Sequence, residues 1–343
     1  MNIKKIESYP YKLKFKKPFI TAKGSYEYRN GFIVKIFSDS YVGLGEVSPL
    51  DKFHKESLQE CYYALEAINQ SISDIGLIKQ EELFALFRLH ALSMPSLLFG
   101  LETAVFDILS QQAELPMHKF FNSKSKNEIN LNGIHGFHSR YDRFDIIKVK
   151  LGYNNLYDDI EKLEELTKVY GKKIKFRIDV NGKLDLVKAI RFCKSMENFN
   201  IDYIEQPLGT NELEDLAELR LHTKIKIAVD ESLVDIESAY ELIENQAADI
   251  FVIKPMVIGS YTDINEIIKM ATNDNIECVI TNMLDSAINR MACIHFALSN
   301  NITNECGISA DNLFDSDLGK TPKIKNGELT ISDSLGLGIT IND

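Results

Sequence analysis

The sequence predicts an α/β protein in which a parallel barrel follows an N-terminal α+β domain. From about residue 130 onward, short β-rich runs alternate with amphipathic helical stretches, which is the pattern of repeated βα units. Polar residues near the strand ends stand at positions 150, 179, 205, 230 and 254, so the steps are 29, 26, 25 and 24 residues. Each step holds one strand, one helix and two loops, and this regularity favours a closed barrel. A doubly wound open sheet is the alternative, but no Gly-rich phosphate loop follows an early strand.

The first third of the chain differs from these units. A strand-like region with turn signals covers residues 11–50, and two helical stretches follow it, ESLQECYYALEAINQSI and SLLFGLETAVFDILSQQAEL. No Pro/Gly/Ser-rich linker closes this domain, so the boundary is placed near residue 125. The final stretch, IKNGELTISDSLGLGITIND, is strand-like again and is expected to return to the first domain. The predicted domains are residues 1–125 completed by residues 325–343, and a barrel of residues 126–324.

The barrel strands are expected, in order, at IIKVKLG, IKFRIDVNG, DYIEQPL, KIAVDES, IFVIKP and ECVITNML. Amphipathic stretches such as NLYDDIEKLEELTKVYG and NELEDLAELRLHT lie between them and are expected to form the outer helices. Strands and helices that alternate in this way place the strand C-termini at one mouth of the barrel.

Composition and charge exclude several classes of function. With 343 residues and 45% apolar content the chain can bury a large core. The net charge of −11 argues against binding to a nucleic-acid backbone. No long uncharged apolar run indicates a membrane span, and the first residues lack the apolar centre of a signal peptide, so a cytoplasmic protein is expected. Five widely spaced cysteines predict neither disulfides nor a zinc site and are expected to be core or chance thiols.

The stretch FDIIKVKLGY places two lysines in the middle of a predicted buried strand. Side chains alternate along a strand, so Ile147, Val149 and Leu151 share one face, and Lys148 and Lys150 share the other. If the apolar face packs under helices, both ammonium groups point inside the barrel. A charge in such a place requires anionic partners.

Those anions occur at successive strand ends. Asp179 follows the same alternation in KFRIDVNG, Glu205 ends YIE, and Asp230 ends IAVD one unit later. Three converging carboxylates repel one another unless a cation lies among them, and an all-oxygen set suits Mg²⁺. The next unit supplies Lys254 in FVIKP, so lysines flank the predicted metal site on both sides.

Each of these residues also has a structural interpretation. A Lys-x-Lys pair on a strand is commonly a solvated face, and Asp230 followed by Glu231 and Ser232 is compatible with a helix cap. Ser286 in NMLDSAINR is compatible with a helix N-cap as well as with a ligand contact. His135 and His138 are expected to be surface loop residues without a function, because no third metal-type ligand stands near them.

Taken together, the strand-end segments resemble the muconate-lactonizing subgroup of the enolase superfamily. The segments that carry the resemblance are KVK at 148–150, RIDVN at 177–181, EQP at 205–207, DE at 230–231 and KP at 254–255. The resemblance implies an α+β capping domain over a modified TIM barrel, (β/α)7β. It also implies Mg²⁺ held by Asp179, Glu205 and Asp230, and abstraction of the proton α to a carboxylate.

Positive charge around the site is expected to stabilise the enediolate that this step forms. The same charge disfavours an extra proton on Lys150 and is expected to lower its pKa, so that its neutral amine acts as the general base. Lys254 is expected to stabilise the enediolate from the opposite face, with Lys148 assisting.

Within the subgroup, the segment GEVSPLDKFHKESLQE resembles the o-succinylbenzoate synthase family, as do MPSLLFGLETAVFDIL and ITNMLDSAINRMACIHFAL. This resemblance implies a carbon-oxygen lyase of menaquinone biosynthesis, which dehydrates 2-succinyl-6-hydroxy-2,4-cyclohexadiene-1-carboxylate to o-succinylbenzoate. Arg177, Asn181 and Ser286 are expected to contact the substrate, and the loop from Thr21 to Tyr28 is expected to approach the succinyl arm.

Two other classes of function stay open at this point. A dipeptide epimerase or N-succinylamino acid racemase of the same superfamily would use the same metal and lysines. Dipeptide epimerases resemble one another in an Asp-x-Asp pair at the last barrel strand, where this chain reads CGIS at 306–309, while Asp315 and Asp317 lie further along. A non-catalytic binding protein on the same fold is the second alternative. The sequence leaves the oligomeric state open.

Overall fold

The computed structural model describes residues 3–21, 24–51, 53–75, 78–136, 144–308 and 313–342. Its N-terminal part is an antiparallel sheet of three strands in the order β1, β2, β3, backed by helices. The strands are β1 (Ile3–Thr21), β2 (Gly24–Ser38) and β3 (Val42–Val47). The helices are α1 (Leu58–Ile75), α2 (Gln80–Ala91), α3 (Pro95–Gln112) and α4 (Met117–Phe121).

Helix α3 packs directly on β3, and glycines make this close approach possible. A Cβ on Gly43 would stand 1.8 Å from the carbonyl oxygen of Ala104, and a Cβ on Gly45 would stand 1.9 Å from that of Gly100. A side chain at either strand position would push the helix away. Apolar side chains of β1–β3 and α1–α3 form one core beneath this contact.

The second part of the chain is a curled parallel sheet with its strands in sequential order. Its seven strands are β5 (Gly133–Ile134), β6 (Ile146–Lys150), β7 (Lys175–Asp179), β8 (Ile201–Glu205), β9 (Lys226–Val229), β10 (Ile250–Ile253) and β11 (Glu277–Ile280). Residues 306 and 307 form parallel bridges to Leu131 on one side and Thr281 on the other. They occupy the eighth position and close the ring. The predicted TIM-like barrel behind an N-terminal α+β domain is therefore confirmed, and an open doubly wound sheet is excluded.

Helices connect the strands on the outside of the barrel. They are α5 (Leu156–Tyr170), α6 (Leu186–Met196), α7 (Leu213–Leu221), α8 (Ile236–Glu244), α9 (Pro255–Ile258), α10 (Tyr261–Asn273) and α11 (Ala287–Ser299). Five of them begin at a side chain that accepts a hydrogen bond from a backbone N–H of the first turn, a role that Asn, Asp and Ser favour. These capping residues are Asn155, Asp185, Asp235, Ser260 and Ser286.

The last residues contain less strand than the sequence pattern predicts. Within residues 324–342 the assigned strand is β12 (Glu328–Thr330), which pairs with β4 (Glu128–Asn130). Gly336 and Gly338 have φ angles of 67° and 65°, and this left-handed backbone interrupts an extended chain. The tail contacts the first domain, since Leu337 N–H donates to Asp107 and Met117 N–H donates to the carbonyl of Gly336. The domain limits at residues 125 and 325 stay a prediction.

None of the described helices combines the length and apolar character needed to cross a membrane. All five cysteines are buried free thiols, as the sequence predicts.

Candidate active site

The alternation along β6 determines where its two lysines point. Ile147 and Val149 are buried in the core between the sheet and the outer helices. Lys148 and Lys150 project from the opposite face and line a cavity of about 600 Å³ at the C-terminal ends of the strands. The N-terminal domain contributes Phe19 to the wall of this cavity, together with Leu50 and Phe53.

All three predicted carboxylates reach the same cavity. Asp179 is the last residue of β7, Glu205 is the last residue of β8, and Asp230 directly follows β9. Each of them is at most 5% exposed. Lys254 follows β10 and lines the cavity from the far side of this group. The structure therefore brings seven of the nine predicted site residues to one cavity, with lysines flanking the carboxylates in the predicted order around the ring. These seven are Lys148, Lys150, Asp179, Asn181, Glu205, Asp230 and Lys254.

Two lysines pair with the carboxylates. Lys148 Nζ lies 3.1 Å from Asp179 Oδ2 and 2.6 Å from Glu205 Oε1, and Lys254 Nζ donates to Asp230 Oδ2. Burial opposes the charge of Lys148, but Asp179 and Glu205 outweigh it and raise the lysine pKa well above its usual value. Lys254 has its pKa raised in the same way, chiefly by Asp230 against the effect of burial. Both ammonium groups therefore stay charged.

Lys150 differs from these two. Among the described residues no carboxylate lies within ion-pair distance of its amine. Partial desolvation of the amine inside the cavity lowers its pKa, although the residue as a whole is exposed; the charge of Lys148 acts in the same direction, while Asp179 opposes both. The sequence predicts this direction from the neighbouring charge, whereas desolvation is the larger cause in the structure.

The donor set fits a hard divalent cation. Three carboxylates from consecutive strands supply only oxygen, and Glu205 Oε2 is buried without a hydrogen-bond partner. Burial raises the pKa of Glu205, and the charge of Lys148 opposes this shift without cancelling it. In this structure Lys148 bridges Asp179 and Glu205 and Lys254 pairs with Asp230, and the described side chains do not form a closed group of three metal ligands.

Residues beside the carboxylates orient the loops that carry them. Asn181 lines the cavity with a φ of 49°, and its Nδ2 donates to Glu231 Oε1 at 2.8 Å. The Gln206 side chain accepts from the backbone N–H groups of Asp230 and Ser232 at 3.0 and 3.1 Å. Gln206 thus ties the end of β8 to the end of β9, a role that the sequence analysis did not assign to it.

Two predicted substrate contacts are not brought to the cavity wall. Arg177 is 1% exposed below it, where Nε donates to Asp202 at 2.8 Å and the guanidinium lies over the Tyr203 ring. Ser286 is fully buried as the N-cap of α11, and its Oγ donates to Glu46 of the N-terminal domain. Both polar groups already have buried partners, so Arg177 supports the barrel interior and Ser286 supports the contact between the domains.

His135 is less exposed than the surface loop position predicted for it, while the expectation that it has no function stays a prediction. It follows β5, is half-buried, lines the cavity and places Nδ1 2.8 Å from Tyr170 Oη. A position at the end of a barrel strand was the available signal, but β5 is only two residues long and lacks a strand-like run. His138 and Ser309 lie outside the described residues, as do residues 22 and 23 of the predicted substrate loop and the Thr21 side chain.

Residues 137–343 match the family model described as Enolase C-terminal domain-like, and residues 3–108 match the one described as MenC, N-terminal domain. The chain belongs to the enolase superfamily, in the branch that contains muconate-lactonizing enzymes.

Among curated relatives, N-succinyl-L-Arg/Lys racemase of Bacillus cereus is 24% identical, with 100% of this chain and 96% of that protein covered. L-Ala-D/L-Glu epimerase of Bacillus subtilis is 26% identical, with 99% and 97% covered. The crystal structure of a dipeptide epimerase from Cytophaga hutchinsonii, complexed with Mg and D-Ala-L-Val, has a TM-score of 0.89 at 25% identity and covers 100% and 96%. These relatives are racemases and epimerases, so the comparisons support an enzyme and favour an isomerase over a lyase.

Proposed function

We propose that this protein is a Mg²⁺-dependent enzyme that removes the α-proton of a carboxylate substrate, and that it racemises an N-succinylated amino acid. The observation that carries the proposal is the position of Lys150 and Lys254. They project into one cavity from β6 and β10, on opposite sides of the three carboxylates. A 1,1-proton transfer needs an acid and a base on the two faces of the same carbon.

The pKa values of the two lysines are shifted in opposite directions, down for Lys150 and up for Lys254, as this reaction requires. Lys150, without a carboxylate partner, takes the α-proton, and the C–H electron pair moves toward the adjacent carboxylate to give an enediolate with the added charge on its oxygens. Lys254, held as a cation beside Asp230, delivers its proton to the opposite face of the same carbon. The reverse direction exchanges the two roles, and Lys148 stabilises the added negative charge.

Asp179, Glu205 and Asp230 would hold the metal. Mg²⁺ bound there supplies electrophilic stabilisation to the substrate carboxylate, which makes its α-proton acidic enough for an amine to remove. The buried, unpartnered Glu205 Oε2 supports this assignment.

The charge of the cavity indicates the class of substrate. Its described wall contains five lysines and four carboxylates, namely Lys148, Lys150, Lys162, Lys183, Lys254, Asp179, Glu205, Asp230 and Glu231. A divalent cation therefore leaves an excess of positive charge even when Lys150 is neutral, and this excess is complementary to a dianion. An N-succinylated amino acid carries two carboxylates and no ammonium group at its α-nitrogen. A simple dipeptide carries one carboxylate and one ammonium group.

The described residues offer no second carboxylate pair for such an ammonium. Asp317 accepts from Arg290 at 2.7 Å and from Ala287 N–H at 2.9 Å, and Asp315 lies 3.6 Å from Lys14. Neither residue is in the cavity wall. This placement favours a succinylated substrate over a dipeptide.

Dehydration to o-succinylbenzoate is the second candidate reaction. The segment GEVSPLDKFHKESLQE, which resembles the o-succinylbenzoate synthase family, lies within the residues that match the MenC N-terminal domain. That reaction also begins with α-proton removal from a dicarboxylate, so Lys150 would act as the base and Lys254 would remain a cation. The curated relatives favour racemisation.

Proton exchange in D₂O with Mg²⁺ distinguishes the candidates. N-succinyl-L-amino acids, L,L-dipeptides and the cyclohexadiene dicarboxylate are incubated separately, and the α-proton signal and diene absorbance are followed. We expect α-proton exchange and racemisation of succinylated amino acids, and Lys254→Ala should abolish racemisation. Fast exchange of dipeptides without exchange of succinylated substrates would refute the proposal, and diene loss alone would establish the dehydratase.

A further inference from the structure

Lys162 is a cation of the cavity wall that the proposed proton transfer does not use. It lies on α5, is half-buried, and its Nζ donates to the carbonyl oxygen of Lys150 at 3.3 Å. Its ammonium therefore lies just beyond the end of β6, on the rim of the site. This bond to a neutral carbonyl brings no opposite charge to the ammonium group.

Several acidic residues are within helical reach of Lys162. Asp158 and Asp159 precede it by four and three residues, and Glu165 follows it by three, spacings at which ion pairs commonly form. Across the described part of the chain, no carboxylate lies within ion-pair distance of Lys162 Nζ. Asp159 instead accepts from the backbone N–H of Gly152 at 2.9 Å. The lysine side chain thus extends to the cavity and not along its own helix.

We infer that Lys162 binds the distal carboxylate of the substrate, the one remote from the carbon that loses its proton. The inference rests on the proposed function, in which the reacting carboxylate would lie at the Mg²⁺ site of Asp179, Glu205 and Asp230. Lys148 and Lys254 are already paired with those acids, and Lys150 is the base. Lys162 is the remaining half-buried lysine of the cavity wall, whereas Lys183 is exposed.

A purely structural role for Lys162 predicts a different behaviour. If the lysine served only to position Lys150 through its carbonyl, its loss would reduce proton transfer from every substrate by the same factor. If it binds the distal carboxylate, its loss weakens binding only of substrates that carry this charge. A comparison of charged and neutral ligands of equal shape separates the two roles.

The test uses N-succinylglycine and N-succinamoylglycine, in which an amide replaces the distal carboxylate. Binding of each to the full-length protein with Mg²⁺ is measured by calorimetry for the wild type, Lys162→Gln and Lys162→Arg. Lys168→Gln is the matched control, because Lys168 is exposed on the same helix and does not line the cavity.

The wild type should bind the dicarboxylate about tenfold to one hundredfold more tightly than the amide, as expected for one charge-assisted hydrogen bond. Lys162→Gln should reduce this ratio to within about threefold, while Lys162→Arg and Lys168→Gln keep it. An unchanged ratio in Lys162→Gln would overturn the assignment. α-Proton exchange of both ligands in D₂O reports separately on the proposed function, since its absence in the wild type would overturn that function as well.

Discussion

Glu46 is expected to hold the two domains together at the N-terminus of α11. It is 1% exposed and accepts five hydrogen bonds. The donors are Tyr11 Oη, Ser48 Oγ, Ser286 N–H and Oγ, and Asn289 N–H. Burial raises the pKa of Glu46, but five donors and no acceptor indicate that the carboxylate is ionised. An anion at this position also interacts favourably with the helix dipole.

The substitution Glu46→Gln preserves the shape and removes the charge. Whichever oxygen becomes an amide, at least two buried donors then face an NH₂ group. A buried donor without an acceptor costs about 1 to 3 kcal/mol, and the lost charge at the helix terminus adds up to about 2 kcal/mol. With at least two such donors, we therefore expect the free energy of unfolding to fall by at least about 2 kcal/mol.

Urea denaturation at pH 7, followed by circular dichroism, measures this change. Glu60→Gln is the matched control, because Glu60 accepts from Ser57 N–H at 2.7 Å in the first turn of α1 but is exposed to solvent. The control should have a much smaller effect. If Glu46→Gln is as stable as the wild type, Glu46 is protonated or apolar contacts alone hold the domains together.

Three further expectations concern other buried groups. Burial lowers the pKa of His295 to about 3, so the free energy of unfolding falls as the pH decreases below about 6.5, the unfolded-state pKa. The loss is about 2 kcal/mol at pH 5 relative to pH 8, and His295→Gln should remove this part of the pH dependence in urea denaturation. Ser286→Ala should lower the free energy of unfolding by about 1 kcal/mol and leave KM unchanged; a raised KM at unchanged stability would make Ser286 a substrate ligand. Glu205→Gln should weaken Mg²⁺ binding at least about tenfold in calorimetry at an unchanged Tm, and unweakened binding would remove Glu205 from the metal site.

The barrel was predictable because its strands are short and alternate regularly. The two-residue period places Lys148, Lys150 and Asp179 on one face without any tertiary information, and the sequential spacing of the units orders them around the ring. The prediction for the N-terminal domain was less complete. It missed α2, although Leu83, Leu86 and Phe87 have helical spacing. The tail was assigned too much strand, since its glycines permit the turns that the structure contains.

Polar residues with two compatible roles were harder to assign. Ser286 was expected at the substrate, but its position before α11 makes it an N-cap, and the partner that completes its burial is Glu46, 240 residues away. Nothing local to either residue indicates this contact, because it exists only once the two domains are packed together. Arg177 lies on the predicted inward face of β7, but the alternation does not show how far along the barrel axis a side chain lies. Arg177 stands two residues before Asp179 and is buried in the barrel interior below the cavity.

Lys162 shows why the roles of helical side chains are harder to predict from sequence than those of strand side chains. Charged residues surround α5 on most of its circumference, so its sequence distinguishes the buried stripe of Leu163 and Leu166 but not which exposed lysine approaches a ligand. What distinguishes Lys162 is visible only in the folded structure. Its amine forms no ion pair with the described acidic residues of its own helix and lies at the rim of the cavity beside Lys150. A half-buried ammonium without an ion-pair partner can gain one from a ligand that carries a carboxylate. The change in ligand discrimination for Lys162→Gln separates such a substrate-binding cation from a solvated one.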